Sequence, residues 1–183
     1  MKPQSVVKHG RVPVLLAVVL VMSLGFTVVL ASDPALTPSA LVFQSPPPMP
    51  PANDNFASAI AIRAVPYTDG ASITYATTQP GEQAPANCTG SIYKTVWYAY
   101  TPANSGSFMA SVPDYFYFSG FLAVWSGTEL GRLTEVGCRS FWGTGRLAFR
   151  AEAGTTYYIQ LGSSSGDGDQ VNFRFEVTPS SQV

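Results

Sequence analysis

The chain has 183 residues, of which 46% are hydrophobic and only 11% charged, enough for one domain of ordinary size and too apolar for a disordered chain. Three of the ten basic residues and none of the eleven acidic ones precede residue 32, so the remainder holds seven against eleven, a formal net charge of about −4. That balance, with Lys94 the one lysine left, excludes nucleic acid as a partner, because phosphate binding rests on clustered Lys and Arg that release counterions.

The N-terminus begins with Lys2, Lys8 and Arg11, followed by an apolar run over residues 12–30 and small residues at Val29-Leu30-Ala31. A positive n-region, an apolar stretch and a small-residue cleavage site spell an export signal. The run approaches the roughly 20 residues that cross a bilayer, so residues 1–31 read either as a cleaved signal peptide or as a retained N-terminal anchor. The basic residues stay on the cytoplasmic side in both cases, which places everything after Ala31 outside, extracellular or at the cell surface. Membrane contact is expected only through this segment, if it is retained. Residues 32–51 carry Pro34, Pro38, Pro46, Pro47, Pro48, Pro50 and Pro51; proline at this density blocks helix and central strand and favours an extended spacer. A folded domain is expected over residues 52–178, with a short tail at 179–183.

Within that domain, turn signals at Thr68-Asp69-Gly70, Gln79-Pro80-Gly81, Asn104-Ser105-Gly106, Ser126-Gly127, Ala153-Gly154 and residues 162–169 separate segments rich in β-branched and aromatic residues. Strands are predicted near residues 60–67, 73–77, 95–101, 107–112, 121–125, 133–138, 146–151, 156–161 and 171–178. In the last of these Val171, Phe173, Phe175 and Val177 alternate with polar residues, and Leu147, Phe149 and Ala151 alternate with Arg146, Ala148 and Arg150. Such alternation gives each strand one apolar face and one wet face. Eight or nine short strands without an amphipathic helix predict an all-β antiparallel two-sheet sandwich, with a closed barrel as the alternative. The segments 96–100 and 121–125 are apolar on both faces, which suits central strands covered above and below.

Cys88 and Cys138 are the only cysteines. In an oxidising compartment they are expected to pair, closing a loop of about fifty residues. Asn87-Cys88-Thr89 fits a glycosylation sequon with Cys at its middle position.

Catalytic signals are sparse. The single histidine, His9, lies before the apolar run, so a histidine-based triad in the exported part is excluded. Gly162-Ser163-Ser164-Ser165-Gly166 fits G-x-S-x-G by letter, but a nucleophile elbow needs a strand-to-helix turn and a histidine, and this segment reads as a Gly/Ser loop. Glu82, Asp114, Glu129, Glu135, Glu152 and Glu176 are scattered at turns and polar strand positions, as solvated carboxylates are; a glycosidase needs two held about 5 to 9.5 Å apart. Asp167 and Asp169 could offer oxygen ligands to calcium, yet an Asp-x-Asp pair in a loop falls short of a twelve-residue calcium loop. No other cofactor is implied. Aromatic residues are the better candidates for binding: Phe141 and Trp142 fall in a predicted loop, as do Tyr115 and Tyr117 in the run Tyr115-Phe116-Tyr117-Phe118. Large apolar groups there either pack over an open end of the sandwich or stack on a partner such as a sugar ring or a protein surface.

Five ordered blocks carry a family resemblance: residues 51–56 (PANDNF), 77–82 (TTQPGE), 94–101 (KTVWYAYT), 122–127 (LAVWSG) and 153–160 (AGTTYYIQ). In that order they resemble the bacterial pre-peptidase C-terminal domains. The resemblance implies a jelly-roll-like sandwich that serves as an accessory module on secreted proteins, binding substrate, matrix or surface material without catalysing a reaction. Relatives commonly carry an Asn-Asp-Asp-like run after the cysteine and an Asp before the Leu-Ala-Val strand. Here Arg139-Ser140-Phe141-Trp142 and Ser119 stand in those places, so any ion those acids support is expected to be lost.

The expectation is a non-catalytic, exported β-sandwich held by one disulfide that binds an extracellular polysaccharide or protein. Burial of the loop aromatics would instead mark a purely structural surface domain, and two acids in one recess would mark a carboxylate-based hydrolase.

Overall fold

Alternating residues need two layers to bury their apolar halves, and the computed structural model supplies them. It describes residues 47–114 and 117–178. The expected leader, most of the proline-rich segment, Tyr115 and the tail lie outside the described residues.

After a single 3-10 turn at Phe56–Ser58 come nine strands: β1 Ile60–Ile62, β2 Tyr67–Ser72, β3 Lys94–Tyr100, β4 Gly106–Val112, β5 Ser119–Ser126, β6 Thr134–Trp142, β7 Gly145–Ala151, β8 Tyr157–Ser163 and β9 Gln170–Val177. A five-stranded sheet runs in the order β1-β3-β8-β5-β6, and a four-stranded sheet in the order β2-β9-β4-β7. This is the expected two-sheet sandwich. All pairings are antiparallel except β1 with β3, where Ile60 lies opposite Tyr98 and Ile62 opposite Tyr100. Parallel neighbours need a long crossover; here the chain leaves β1, runs β2 in the other sheet and returns through residues 73–93 to enter β3.

The two inner faces meet in one core. Val171, Phe173 and Phe175 point in while Asn172 and Arg174 point out, and on β7 Leu147, Phe149 and Ala151 alternate with exposed Arg146, Ala148 and Arg150. Val177 keeps the alternation but is 56% exposed, being the last residue of its strand. Aromatic rings join the layers: Tyr98 stacks on Phe173 at 4.2 Å between centroids, and Tyr100 meets Phe175 edge-on at 4.9 Å. Tyr98 is wholly buried and its hydroxyl donates to Asp69 Oδ2 at 2.9 Å. Burial first, and then the Asp69 charge, push that hydroxyl's pKa far above the ordinary tyrosine range, so it remains a donor.

The five-stranded sheet also buries its other face. Trp97, Phe121, Ala123, Trp125 and Leu133 form a second apolar cluster, covered by Phe56, Ala59, Cys88, Ile92 and Leu130. The doubly apolar segments in β3 and β5 are therefore central and covered on both sides, as expected. The covering segments are fastened by polar contacts. Asn53 Nδ2 donates to the Trp97 carbonyl at 3.1 Å, and Asp54 accepts from the Thr77 amide and hydroxyl, each at 2.6 Å. Glu82 accepts from the Gln79 amide and from Gln160 Nε2, each at 2.9 Å, and from the Thr95 hydroxyl. Gln160 in turn accepts from Trp125 Nε1 at 2.9 Å. Glu135 on β6 takes the Ala86 amide and the Asn87 side-chain amide, each at 2.8 Å, beside the disulfide between Cys88 and Cys138. Glu82 and Glu135, expected to be solvated, are clamps: the loop over the sheet presents amide donors, and these two carboxylates accept from them.

Three local expectations differ from the structure: the single strand expected over residues 60–67 divides into β1 and the start of β2, which lie in different sheets. Residues 73–77 are a turn, while the Thr68-Asp69-Gly70 segment is strand, paired with Arg174, Phe173 and Asn172 of β9. The ladder of an existing neighbour outweighs local turn propensity there. Ile73 and Ala76 are buried as anchors of the returning loop, which produced the apolar alternation without a strand. Strand β6 also runs on to Trp142, so Phe141 and Trp142 end a strand and do not lie in a loop.

Candidate binding surface

Strand β6 edges the five-stranded sheet and β7 edges the four-stranded one, so the short connection between them carries the chain across one side of the sandwich. Gly143, at φ +84°, makes the reversal, and the Thr144 amide donates to the Trp142 carbonyl at 3.2 Å. Because β6 is pleated, its last two residues part. Phe141 pairs with Gly120 and turns toward the core, whereas Trp142 pairs with Ser119 and turns outward.

The Phe141 ring occupies a seat made by absent side chains. A Cβ at Gly120 would come within 2.6 Å of the ring, and one at Gly145 would strike it as well. Phe118 closes the seat, its ring meeting Phe141 edge-on at 6.3 Å. Outside this seat, Arg139, Ser140, Phe141, Trp142, Thr144, Gly145 and Arg146 line an open recess of about 480 Å³. Trp142 is 58% exposed, against 0% for Trp97 and 2% for Trp125. Tyr117, in the segment that leads into β5, is 83% exposed. The expected aromatic residues are thus divided: Trp142 and Tyr117 face solvent, Phe141 is half-buried and supports the recess, and Tyr115 lies outside the described residues.

Two features of this corner escaped the sequence. Arg139 and Arg146 flank the recess, and neither has an acidic partner within ion-pair distance among the described residues. The glycine pair that seats Phe141 was also invisible, since Gly120 and Gly145 lie far apart in the chain and meet only through the β5–β6 and β6–β7 connections. A second recess, of about 690 Å³, lies over the five-stranded sheet between Phe56, Tyr158, Thr128 and Leu130. There the Phe56 and Tyr158 rings lie 4.3 Å apart and tilted, filling their own floor.

Glu129 lines the second recess and Glu152 a third, and none of these three recesses, nor the one between Val65 and Val177, is lined by more than one acid. Asp167 Oδ2 accepts from the Ser165 hydroxyl at 3.1 Å, and Asp169 Oδ1 from the Gln170 amide at 2.7 Å. Among the described residues no three His, Cys, Asp or Glu side chains converge on a point. Ser164, the central serine of the G-x-S-x-G pattern, follows the end of β8, donates its hydroxyl to the Ser119 carbonyl at 3.2 Å, and leads through a loop into another strand.

No protein-family model matches the sequence, and no curated protein matches it. Among solved structures, the fold is similar to the pre-peptidase C-terminal domain of a collagenase from Bacillus anthracis, with 12% identity and a TM-score of 0.46 over 64% of this chain and 94% of that chain. It is also similar to a family 35 carbohydrate binding module from an environmental isolate, with 13% identity and a TM-score of 0.35 over 62% of this chain and 85% of that chain. The first is a member of the family that the ordered motifs resemble. Both likenesses are of fold, and they assign no residue of this chain a role.

Proposed function

We propose that the sandwich is a non-catalytic module of an exported protein and binds an extracellular glycan at the β6–β7 corner. One observation carries this reading: of the three tryptophans, Trp142 alone is turned to solvent, at 58% exposure, and it stands on the lip of a recess whose floor is held by a seated phenylalanine. An exposed indole at a strand end offers a broad apolar face of the kind a pyranose ring stacks on. Ser140 and Thr144 add hydroxyls at the rim. Catalysis is disfavoured by the lack of a paired carboxylate in the four recesses described above and by the placement of the only histidine before the apolar leader. Export is supported by that leader and by the disulfide, which fits an oxidising compartment.

A glycan array probed with the chain and with Trp142→Ala tests the proposal. A set of retained glycans whose binding falls at least tenfold, roughly 1.4 kcal/mol, in the variant is the expected result. Retention that ignores the substitution would move the site elsewhere. Capture of proteins with no glycan retained would turn the reading toward a protein surface.

A further inference from the structure

The outer face of the four-stranded sheet is charged in a way the rest of the domain is not. Ser111 on β4 lies opposite Arg146 on one side and Arg174 on the other, and Arg174 lies opposite Thr68, so one row crosses all four strands with two guanidinium groups in it. Neighbouring strands are about 4.8 Å apart, which separates the two arginine positions by roughly 10 Å. Four residues further along β7, on the same face, stands Arg150, opposite Ser107; at about 3.4 Å per residue it lies some 14 Å from Arg146. Arg139 completes the series at the corner, where it shares the recess with Arg146 and Trp142. Four of the seven basic residues that follow the leader thus run along one face and its edge. Acids there are few and engaged: Glu176 binds Arg174 at 2.7 Å, and Asp114 accepts from the Asn172 amide; Glu152 lines the recess beside Arg150. Arg139, Arg146 and Arg150 have no carboxylate within ion-pair distance among the described residues.

Resting on the glycan reading above, we infer that the ligand is an acidic polysaccharide, a linear polymer whose carboxylate or sulfate groups engage this arginine series while one of its rings stacks on Trp142. Guanidinium forks match carboxylate and sulfate oxygens in pairs and are more weakly hydrated than ammonium groups, so arginine without lysine suits such groups. Beside the arginines Thr68, Ser107 and Asn172 turn hydroxyl and amide groups outward, as suits a hydrated chain, while Ser111 and Met109 on the same side of β4 are buried beneath their neighbours. The surplus of acids over bases in the exported part repels any broad anionic surface. A single polymer strand that touches only this face and the adjoining β6–β7 corner escapes that repulsion, whereas a membrane or a duplex does not.

The test compares polygalacturonate with its fully methyl-esterified, uncharged counterpart, using the full chain in affinity electrophoresis or calorimetry. At 50 mM salt the charged polymer is expected to bind at least about tenfold more tightly, and the difference is expected to collapse at 0.5 M salt as the Debye length shrinks. Arg146→Gln combined with Arg150→Gln should bring the charged polymer down close to the level of the ester, with circular dichroism and melting temperature confirming that the variant folds. Equal binding of the two polymers, lost in Trp142→Ala, would overturn the inference and leave the glycan reading standing. Binding of neither polymer would also overturn it, and the array with Trp142→Ala then judges the glycan reading separately. Phosphatidylglycerol vesicles bound as tightly as polygalacturonate would overturn it in favour of a lipid surface.

Discussion

Phe141 and Trp142 are adjacent in sequence and opposite in duty, and the difference is set by two glycines. The Phe141 ring lies where side chains at Gly120 and Gly145 would be, so the recess rests on a packed support. Gly145→Ala is therefore expected to displace the ring and lower stability by about 1–3 kcal/mol, the usual range for overpacking, read as a drop in the urea midpoint. An unchanged midpoint would mean that the ring is free to move and the seat is not a seat. Tyr98 carries a second prediction. Its folded pKa is raised above the ordinary value of 10.0 by burial and by Asp69, so the unfolded chain ionises first, and the stability associated with this group is full below pH 10 and falls as pH rises beyond it. Tyr98→Phe should lose about 1 kcal/mol at neutral pH, from the missing hydrogen bond to Asp69, and should show a shallower loss of stability between pH 10 and 11.5. A parallel decline in both proteins would assign the alkaline loss to other groups. The aromatic character of this corner was legible in the sequence. The inward and outward division was not, because Arg139-Ser140 interrupts the apolar pattern after Cys138 and hides the continuation of the strand.

Among the elements, the segment between β2 and β3 departs most from a plain sandwich. It forms part of a third layer over Trp97, Phe121 and Trp125, and it is held at Asp54, Glu82, Glu135 and the disulfide. With a sequence separation of 50 between Cys88 and Cys138, the chain-entropy model values the cross-link at roughly 4 kcal/mol. Replacing both cysteines by serine should cost about 2–4 kcal/mol in urea unfolding and should expose the outer tryptophans, seen as a red shift of their fluorescence. A variant as stable as the parent would show that the carboxylate clamps suffice alone. The strands flanking this segment were readable from alternation, and the double apolar faces of β3 and β5 already demanded a cover. What supplied the cover was not readable: Glu82 and Glu135 reach their donors across 78 and 48 residues of sequence, and no local pattern encodes such distances. The turn expected at Thr68-Asp69-Gly70 failed for a related reason, since β9 offers that segment a ladder that local propensity cannot anticipate.

At the scale of the whole molecule, two sheets bury one aromatic core, a cover buries a second, and the one exposed tryptophan stands at the β6–β7 corner beside the arginine-bearing face. The all-β class followed from period-two alternation, which is dictated by strand geometry and survives errors in individual boundaries. The parallel placement of β1 did not follow, because three residues carry too little pattern to fix a direction. The central claim, that the domain binds at its exposed indole and leaves its ligand unaltered, is tested most directly by following the three tryptophan indole resonances by NMR during titration with the glycan that the array retains best. The account predicts that the Trp142 resonance shifts and saturates, that those of Trp97 and Trp125 stay in place, and that the glycan is recovered intact. Shifts confined to Trp97 or Trp125, or cleavage of the added glycan, would contradict it.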